Sequence, residues 1–501
     1  MAPALTLSAP QELFINGEYT PSKSGSTFPV VNPMTGATIY QAAAASVADY
    51  EKAIQTAHTA FSSWSKTSPS ARRLILLRAA DIMDSYLAPD SPSLAAEILS
   101  AEVSAVRSWV AVNIRATAGI FRETAGLATH IKGEIIPADR PGTTILVERE
   151  AVGVVLAISP WNAPVNLAAR AIACPLICGN TVVLKPSEMS PKSQHLVVGA
   201  LAEAGLPPGV LSFLPTAPAD APAVTEHAVK HPLVRRVNFT GGDRVGRIIA
   251  AWAAEGPKQC VLELGGKAPV LVLEDADIAD AVEAVVFGAL SNAGQICMST
   301  ERVLVHESIA AAFTKLLLER VERVRCGNHL EDPNVSMSGL CSPTAATRVL
   351  DMVQNAVGAG ARLLTGNLKA TGPNGTIVQP HVLEGVTPAM AVFRRESFGP
   401  VLALTTFSND DEAVALANDS DYSLCASVFS RDVTRALGVA RRVRAGSCHV
   451  NGPTVYIEAT LPNGGTGGGS GYGRFGGMAG VEEFTERKIV SLAEPGARYD
   501  F

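Results

Sequence analysis

A cysteine in a loop of small residues is the strongest candidate for chemistry in this 501-residue chain. Cys297 lies in the segment NAGQICMST (292–300), between a predicted helix and a predicted strand. A thiolate nucleophile must be exposed and closely approached by its substrate, and small loop neighbours allow both. The alternative is that Cys297 packs in the interior as a small apolar residue, as most of the eight cysteines must.

A carboxylate and an amide form the next candidates. Glu263 lies in CVLELGGKAP (260–269), an apolar predicted strand followed by two glycines. A carboxylate in such surroundings is costly unless it is paired or acts as a base, so a satisfied structural carboxylate is the alternative. Asn162 follows a predicted parallel strand in ISPWNAP (158–164), where open α/β sheets place ligands. Its NH₂ group can donate to a developing oxyanion, or Asn162 is a turn residue.

Three weaker motifs suggest a nucleotide. Lys185 and Glu188, in VVLKPSEMSP (182–191), follow another predicted strand and could bond ribose hydroxyls, or they are solvated surface charges. The glycine pair in NFTGGDRVGR (238–247) would leave helix N–H groups free for a phosphate, although the motif lacks a full GxGxxG. Glu396, in RRESFGPV (394–401), by itself indicates only a turn.

Alternating strands and helices are predicted to position these residues. From residue 151 the pattern is strand, helix, strand, which favours a doubly wound parallel sheet, and a second α/β set begins near 268. Before it, an irregular lead precedes predicted helices over 48–64, 71–87 and, as one long helix, 93–125. Residues 131–150 predict a hairpin, and the glycine-rich stretch 462–477 predicts close backbone packing.

Composition excludes several classes of protein. Hydrophobic residues make up 47% of the chain and charged residues 18%, which excludes a disordered protein. A net charge of −6 without a Lys/Arg run predicts no nucleic-acid or anionic-membrane partner. Proline, asparagine and arginine interrupt the apolar stretch 151–184, so it predicts buried elements and not a membrane span. Sparse cysteines and the absence of a signal-peptide pattern predict a reducing, cytoplasmic location.

The motifs together resemble the aldehyde dehydrogenase superfamily. SPWN, LKPSE, FTGG, LELGGK, GQICMS, ESFGP and SGYGR occur in that family's order and spacing, between 14–18 and 470–474. The resemblance implies an α/β protein with a Rossmann-type NAD-binding domain, an α/β catalytic domain and a β oligomerisation arm. The implied NAD-binding domain comprises residues 1–130 and 152–264, the catalytic domain 265–484, and the oligomerisation arm 131–151 and 485–501. The arm implies a homodimer or homotetramer.

The resemblance also implies a role for each motif. Cys297 would be the nucleophile, Glu263 the general base, and Asn162 the oxyanion-hole amide together with the Cys297 N–H. The cofactor would be NAD, with NADP disfavoured by the Glu188 carboxylate but possible, and no metal is implied. The implied cofactor-binding residues are Ser159, Trp161, Lys185, Glu188, Gly241, Gly242, Gly246, Leu264, Glu396 and Phe398.

Within the superfamily the likeness is greatest to benzaldehyde, vanillin and salicylaldehyde dehydrogenases, through ARAIACPLICGN (169–180), QICMSTERV (295–303) and NGPTV (451–455). An aromatic aldehyde would be oxidised to its acid through a thiohemiacetal and a thioester on Cys297. Arg170 would either contact a ring substituent or form a structural ion pair. The implied substrate pocket consists of Arg170, Ile296, Met298 and Tyr456.

Other readings of the sequence remain open at this point. The substrate could be aliphatic or specific to one pathway. A CoA-acylating relative usually lacks the hydrolytic glutamate, and a catalytically silent binding protein would lack one of the three catalytic residues. Two departures from the family pattern concern the clefts: Gly242 stands where serine is common, and Asn463 stands where phenylalanine is usual, in a segment (462–470) one residue longer.

Overall fold

The computed structural model describes residues 6–87 and 94–496. Within these ranges the helices are α1 (Val47–Trp64), α2 (Pro69–Ser85), α3 (Leu94–Val103), α4 (Arg107–Gly126), α5 (Pro164–Ile177), α6 (Pro191–Glu203), α7 (Ala221–Lys230), α8 (Asp243–Glu255), α9 (Ile278–Leu290), α10 (Ala310–Val321), α11 (Pro343–Gly358), α12 (Ala391–Arg394), α13 (Asp410–Asn418), α14 (Val433–Ala440) and α15 (Gly477–Glu483).

The strands are β1 (Leu13–Ile15), β2 (Glu18–Thr20), β3 (Thr27–Val31), β4 (Thr38–Ala43), β5 (Glu134–Ile136), β6 (Thr143–Ala151), β7 (Val154–Ile158), β8 (Thr181–Lys185), β9 (Leu211–Phe213), β10 (Val234–Thr240), β11 (Gln259–Glu263), β12 (Ala268–Val272), β13 (Thr300–His306), β14 (Arg362–Thr365), β15 (His381–Glu384), β16 (Val401–Phe407), β17 (Cys425–Phe429), β18 (Ser447–Val450), β19 (Gly471–Tyr472) and β20 (Thr485–Ala493).

An eight-stranded sheet carries the first set of motifs. Its order is β19-β11-β10-β7-β8-β9-β1-β2, and the five central strands are parallel. Strands β7 and β8 are buried along their whole length, as expected when helices cover both faces of a parallel sheet. The predicted doubly wound sheet is confirmed. It aligns the carboxyl ends of β7, β8, β10 and β11, which precede Asn162, Glu188, Gly241 and Gly265.

A seven-stranded sheet carries the second set of motifs. Its order is β14-β15-β16-β13-β12-β17-β18, parallel from β15 to β18. The helices around it enclose a large apolar core that includes Val303, Phe313, Phe393 and Phe429. Strand β13 begins three residues after Cys297, so the sheet fixes the cysteine loop from its carboxyl side.

A three-stranded antiparallel sheet, β20-β6-β5, lies apart from the two larger sheets. The predicted hairpin over 131–150 is confirmed by the pairing of Glu134 with Val147. Strand β20 then pairs with β6 along nine residues, which joins the carboxyl-terminal segment to the hairpin. The predicted domain boundaries also include residues 1–5, 88–93 and 497–501, which lie outside the described residues.

Two predictions about the first part of the chain are wrong. The lead is not irregular, because it forms β1 to β4, and Phe14 pairs with Phe213 at the edge of the large sheet. The predicted helix 93–125 is two helices, α3 and α4, and residue 93 lies outside the described residues. Ser104 adopts a left-handed φ of 52°, which ends α3. The carboxylate of Glu102 accepts the backbone N–H groups of Lys192 and Ser193, which anchors α3 to the start of α6.

The apolar stretch 151–184 folds as the predicted strand, helix and strand: β7, α5 and β8. No helix among residues 6–87 and 94–496 is both long and apolar enough to cross a membrane.

Candidate active site

A cavity of about 410 Å³ brings the predicted catalytic residues together. Cys297, Glu263 and Asn162 all line it. Most of the remaining wall is apolar and comes from α4, α5, α9 and the segment after β18. The large apolar side chains of this wall are Trp109, Val112, Ile120, Leu127, Leu167, Phe287, Ile296, Met298, Val455, Ile457, Leu461 and Phe475.

The cysteine loop depends on backbone conformations that few residues adopt. Asn292, Ala293 and Gly294 follow one another with φ of 51°, 57° and 74°. Left-handed conformations of this kind cost on the order of 1–3 kcal/mol each for residues other than glycine and are concentrated at functional sites. Only glycine fits at 294, because a Cβ there would lie 2.2 Å from the Gly399 carbonyl oxygen. These turns direct the chain from α9 to Cys297 and into β13.

The Cys297 thiol faces the Glu263 carboxylate. Cys297 Sγ donates to Glu263 Oε1 at 3.5 Å, and the Cys297 side chain is partly exposed to the cavity. Burial and the neighbouring Glu263 charge raise the pKa of Cys297 well above its usual range, and the Arg170 charge opposes this. The thiol is therefore protonated at neutral pH in this arrangement. The Glu263 carboxylate disfavours the thiolate unless it first accepts the proton.

Glu263 is the last residue of β11 and is only 1% exposed. Its Oε2 forms an ion pair with Arg170 Nη2, and Arg170 lies on α5. Arg170 also lines the cavity; its Nη2 contacts Glu263 and Thr240, and its Nε has no hydrogen-bond partner among the described residues. Of the two roles that the sequence left open for Arg170, the structure shows the ion pair.

The amide of Asn162 is held in a fixed orientation. Its Nδ2 donates to the Gln295 backbone carbonyl at 2.9 Å, and the backbone carbonyl of Asn162 accepts the Trp109 indole N–H at 2.9 Å and the Asn292 side-chain amide at 3.1 Å. An amide NH₂ has two hydrogens, so one remains for an oxygen in the cavity. Asn162 therefore has the geometry that oxyanion stabilisation requires, a donor fixed before the reaction begins.

The predicted adenosine contacts lie at the end of β8. Lys185 is 7% exposed, and its ammonium makes no hydrogen bond or ion pair in the described part of the chain. Burial lowers the pKa of Lys185, while the neighbouring Glu188 carboxylate acts to raise it. The ammonium at the end of this largely buried side chain can donate to the oxygen atoms of a ligand, and ribose hydroxyls supply such atoms.

Gly242 leaves space at the N-terminus of α8. It is the N-cap residue and makes no capping hydrogen bond, and a Cβ at this position would have no atom within 4 Å. The first N–H groups of α8 therefore adjoin open space, where a phosphate can accept from them. Gly241 and Gly246 are explained by packing: a Cβ would lie 2.4 Å from the Phe239 ring at the first and 2.4 Å from Leu264 at the second.

Glu396 is held beside the catalytic loops. Its Oε1 accepts the Gly266 N–H at 2.9 Å. Burial, followed by the Glu301 charge, raises the pKa of Glu396 to about 8. Glu301 forms a buried ion pair with Lys267 and accepts the Ser397 N–H at 2.8 Å, which fixes the segment that carries Glu396.

An aromatic pair lies next to this segment. Phe398, with a left-handed φ of 49°, packs edge-on against Trp161 at 5.7 Å between ring centroids. Trp161 is far in sequence from Glu396 and Phe398, which share one short segment. The structure therefore brings predicted cofactor residues from both large sheets to one place.

Some predicted residues have other surroundings. Tyr456 is 49% exposed, bonds Glu458 through its hydroxyl and does not line the cavity, whereas its neighbours Val455 and Ile457 do. The Ser159 hydroxyl donates to Gln194 and is buried, so its side chain is occupied. Ile296 and Met298, on either side of Cys297, line the cavity as predicted.

Sequence reasoning missed two aromatic residues of the cavity, Trp109 and Phe475. Trp109 lies on α4 far from every motif, and no local pattern marks it. Phe475 belongs to the glycine-rich stretch, whose close packing is confirmed: Gly471 pairs with Glu263, and a Cβ on Gly471 would lie 2.1 Å from the Leu262 carbonyl oxygen. Asn463 also lines the cavity and is 8% exposed.

A cluster of Glu51, His227 and His231 lies outside the cavity and has the composition of a metal site. His231 Nδ1 accepts the Leu233 N–H at 3.2 Å, so the proton of the neutral ring is on Nε2. That nitrogen lies 3.1 Å from Glu51, to which it donates. The hydrogen bonding therefore favours a His–Glu contact over metal ligation.

Two parallel sheets meet around a thiol, a carboxylate and an amide, an arrangement suited to an enzyme that forms a covalent bond through cysteine, and comparisons identify the family. The sequence model of the aldehyde dehydrogenase family matches residues 19–490. The chain belongs to the aldehyde dehydrogenase family. Vanillin dehydrogenase from Pseudomonas fluorescens is 44% identical over 97% of this chain and 98% of its own length.

Solved structures agree with this assignment. A salicylaldehyde dehydrogenase from Pseudomonas putida G7 complexed with salicylaldehyde matches with a TM-score of 0.94 and 41% identity, covering 98% of this chain and 100% of that one. A betaine aldehyde dehydrogenase from Staphylococcus aureus in complex with NAD⁺ matches with a TM-score of 0.92 and 30% identity, covering 98% of this chain and 96% of that one.

Gly266→Ala is expected to lower kcat/KM for aldehydes by about 10²-fold, because misplacing a reacting group by about 1 Å has effects of that size. A Cβ on Gly266 would lie 1.9 Å from the Cys297 carbonyl oxygen and would displace the nucleophile. Steady-state reduction of the cofactor measures the loss. The control is Gly438→Ala on α14, where a Cβ meets no atom within 4 Å and activity should be unchanged. Equal activity of both variants would contradict the proposed constraint.

Proposed function

We propose that this protein oxidises aromatic aldehydes to carboxylic acids, with NAD as the cofactor and Cys297 as the nucleophile. The observation that carries the proposal is the contact of 3.5 Å between Cys297 Sγ and Glu263 Oε1 in a cavity with a largely apolar wall. A nucleophile and a base within reach of one another serve acyl transfer, and an apolar wall suits a flat, apolar substrate.

The chemistry begins at the sulfur. The Cys297 thiol first loses its proton to solvent. The thiolate sulfur then forms a bond to the aldehyde carbon while the carbon–oxygen π bond breaks, and the carbonyl oxygen becomes an oxyanion. The second N–H of the Asn162 amide and the backbone N–H of Cys297 donate to it, and one such donor contributes about 3 kcal/mol. NAD, when bound, supplies the acceptor for the hydride that the substrate carbon loses, so that a thioester remains on Cys297.

The second half of the reaction is hydrolysis of the thioester. Glu263 Oε1 takes a proton from a water molecule while the water oxygen forms a bond to the acyl carbon. The carbon–sulfur bond then breaks, the carboxylic acid leaves, and Cys297 is released as the thiolate. Glu263 thus acts after the acyl group has formed.

NAD fits the residues on the cofactor side. The unpartnered Lys185 ammonium and the Glu188 carboxylate would bond the adenosine-ribose hydroxyls, and Glu396 would bond the nicotinamide ribose. The diphosphate would lie at Gly242, beside the N-terminus of α8. The remaining predicted residues would shape the cleft by contact or packing: Ser159, Trp161, Gly241, Gly246, Leu264 and Phe398.

NAD is expected to give a higher kcat/KM than NADP. The half-buried Glu188 carboxylate would face a 2′-phosphate, and two like charges 4 Å apart repel by about 1–4 kcal/mol for dielectric constants between 80 and 20. Glu188→Gln should lower the ratio of kcat/KM with NAD to kcat/KM with NADP. The matched control is Glu319→Gln on the exposed face of α10, which should leave the ratio unchanged. Equal or better efficiency of the wild-type enzyme with NADP would refute this preference.

Benzaldehyde-type substrates are expected to have a higher kcat/KM than acetaldehyde. A ring that enters the cavity removes apolar surface from water, at roughly 25 cal/mol per Å². Phe287→Ala should reduce efficiency with benzaldehyde more than with acetaldehyde, because Phe287 lines the cavity. Tyr456→Ala, which removes an exposed aromatic residue outside the cavity, is the control. A wild-type enzyme that prefers acetaldehyde to every aromatic aldehyde tested would show that the substrate is aliphatic.

Glu263→Gln is expected to lower steady-state turnover about 10²–10⁴-fold, the usual contribution of a general base. The stoichiometric burst of reduced cofactor should survive, because removing the carboxylate charge favours the Cys297 thiolate. Intact-mass spectrometry should then find an acyl adduct on Cys297, and Cys297→Ala should show neither burst nor adduct. Wild-type turnover in Glu263→Gln would exclude Glu263 as the base, and loss of the burst would show that Glu263 activates the thiol.

We also propose that the chain forms a homodimer or homotetramer through the sheet of β5, β6 and β20. Ile135 is 75% exposed, Ile489 73% and Leu492 54%, and a second copy could cover these side chains. The proposed domains are 1–130 with 152–264 for NAD binding, 265–484 for catalysis, and 131–151 with 485–501 for the arm. A cytoplasmic location is proposed because all eight cysteines are free thiols and Cys297 must remain reduced.

A further inference from the structure

The Glu263 carboxylate has two oxygen atoms in different surroundings. Oε1 lies 3.5 Å from Cys297 Sγ, on the side of the reacting atoms. Oε2 is buried and forms an ion pair with Arg170 Nη2. Among residues 6–87 and 94–496, Arg170 is the one cation in an ion pair with Glu263. The side of the carboxylate away from the cysteine is therefore tied to α5.

Arg170 is itself fixed by contacts that do not involve Glu263. Its Nη2 donates to Thr240 Oγ1 at 3.1 Å, and its guanidinium stacks over the Phe475 ring at 4.7 Å from the centroid. Its side chain is 11% exposed. The polar contacts at Nη2 and the ring against one face limit the freedom of the guanidinium to reorient toward a ring substituent.

A carboxylate that is 1% exposed is unstable as an anion unless a cation balances it. A base must be ionised before it can take a proton from water. The titratable groups around Glu263 are Arg170 on α5, Cys297 in the catalytic loop and Cys425 at the start of β17, and Glu396 acts on Cys297. Of these, only the Arg170 guanidinium carries a positive charge.

We infer that Arg170 is a positioning residue for the general base: its guanidinium pairs with Oε2, fixes the orientation of the carboxylate and leaves Oε1 directed at the thioester and its water. This inference rests on the proposed role of Glu263 in deacylation. It assigns Arg170 to the second half of the reaction and not to recognition of a ring substituent. Arg170 also offsets the effect of Glu263 on the thiol, because its charge acts to lower the pKa of Cys297.

Arg170→Met, which keeps an unbranched apolar stem and removes the guanidinium with its charge, is expected to retain the burst of reduced cofactor and to lose at least about tenfold in steady-state turnover at pH 7. The acidic limb of the kcat profile should move to higher pH, because the variant removes the positive charge that lies next to the proposed base. The deficit should therefore shrink as the pH rises toward 9. Arg170→Lys, which keeps the charge, should restore most of the turnover and the wild-type profile.

The controls separate this role from a structural one. Thr240→Val removes a hydrogen-bond partner of Arg170 but keeps the ion pair, so turnover and profile should change little. Burst amplitude counts intact active sites, and turnover is normalised to it. In the Glu263→Gln background, Arg170→Met should cause no further loss of deacylation, whereas a structural defect would add its own loss.

Three results would overturn the inference: an unshifted kcat profile in Arg170→Met, additive losses in the double variant, or a loss confined to KM for ring-substituted benzaldehydes. The last result would make Arg170 a substrate contact. A failure of the proposed function would give a different result: the Glu263→Gln variant alone would keep the wild-type turnover. If Glu263→Gln loses turnover and Arg170→Met keeps the wild-type profile, the proposed function stands and only the role of Arg170 fails.

Discussion

A nearly solvent-free carboxylate at the end of β11 is the constraint around which the site is built. Glu263 is the proposed base, and its charge raises the pKa of the Cys297 thiol 3.5 Å away. Arg170 pairs with the far side of the carboxylate, and its charge acts to lower the pKa of the same thiol. The buried pair therefore has a chemical consequence in addition to any effect on stability, which for buried pairs is often small.

Close backbone approaches allow these groups to meet. Gly266 adjoins the Cys297 carbonyl, Gly294 the Gly399 carbonyl and Gly471 the Leu262 carbonyl, and at each position a Cβ would lie within 2.2 Å of oxygen. The glycines hold β11, the cysteine loop and the glycine-rich stretch closer together than side chains would permit. The catalytic atoms are therefore positioned by main-chain packing from both large sheets.

The cofactor side contains polar groups that can still accept or donate hydrogen bonds. No hydrogen bond or ion pair holds the Lys185 ammonium within residues 6–87 and 94–496, and burial beside Glu301 raises the pKa of Glu396 to about 8. Each group gains from a ligand that supplies hydroxyl groups, so binding energy is available where a ribose would lie. The buried pair of Lys267 and Glu301 fixes the Glu396 segment, which makes this side of the cleft rigid before a cofactor arrives.

Sequence by itself determined the fold class and the family, and it predicted Cys297, Glu263 and Asn162 as the candidate catalytic residues, which the structure places around one cavity. These conclusions rest on local signals: apolar strands that alternate with helices, and short motifs at strand ends. Residue spacing also predicted the hairpin at 131–150. It did not predict the break at Ser104, where a left-handed residue and the bonds of Glu102 to a distant helix override helical periodicity.

Only the tertiary structure decided which side chains face one another. Arg170 and Glu263 are 93 positions apart on different elements, and a pattern along the chain does not report the direction of either side chain. For the same reason Trp109 was missed and Tyr456 was misplaced, since α4 and the segment after β18 meet the site only through packing. Local sequence encodes the elements and the reactive groups, whereas distances between groups on separate elements arise from the packing of the whole chain.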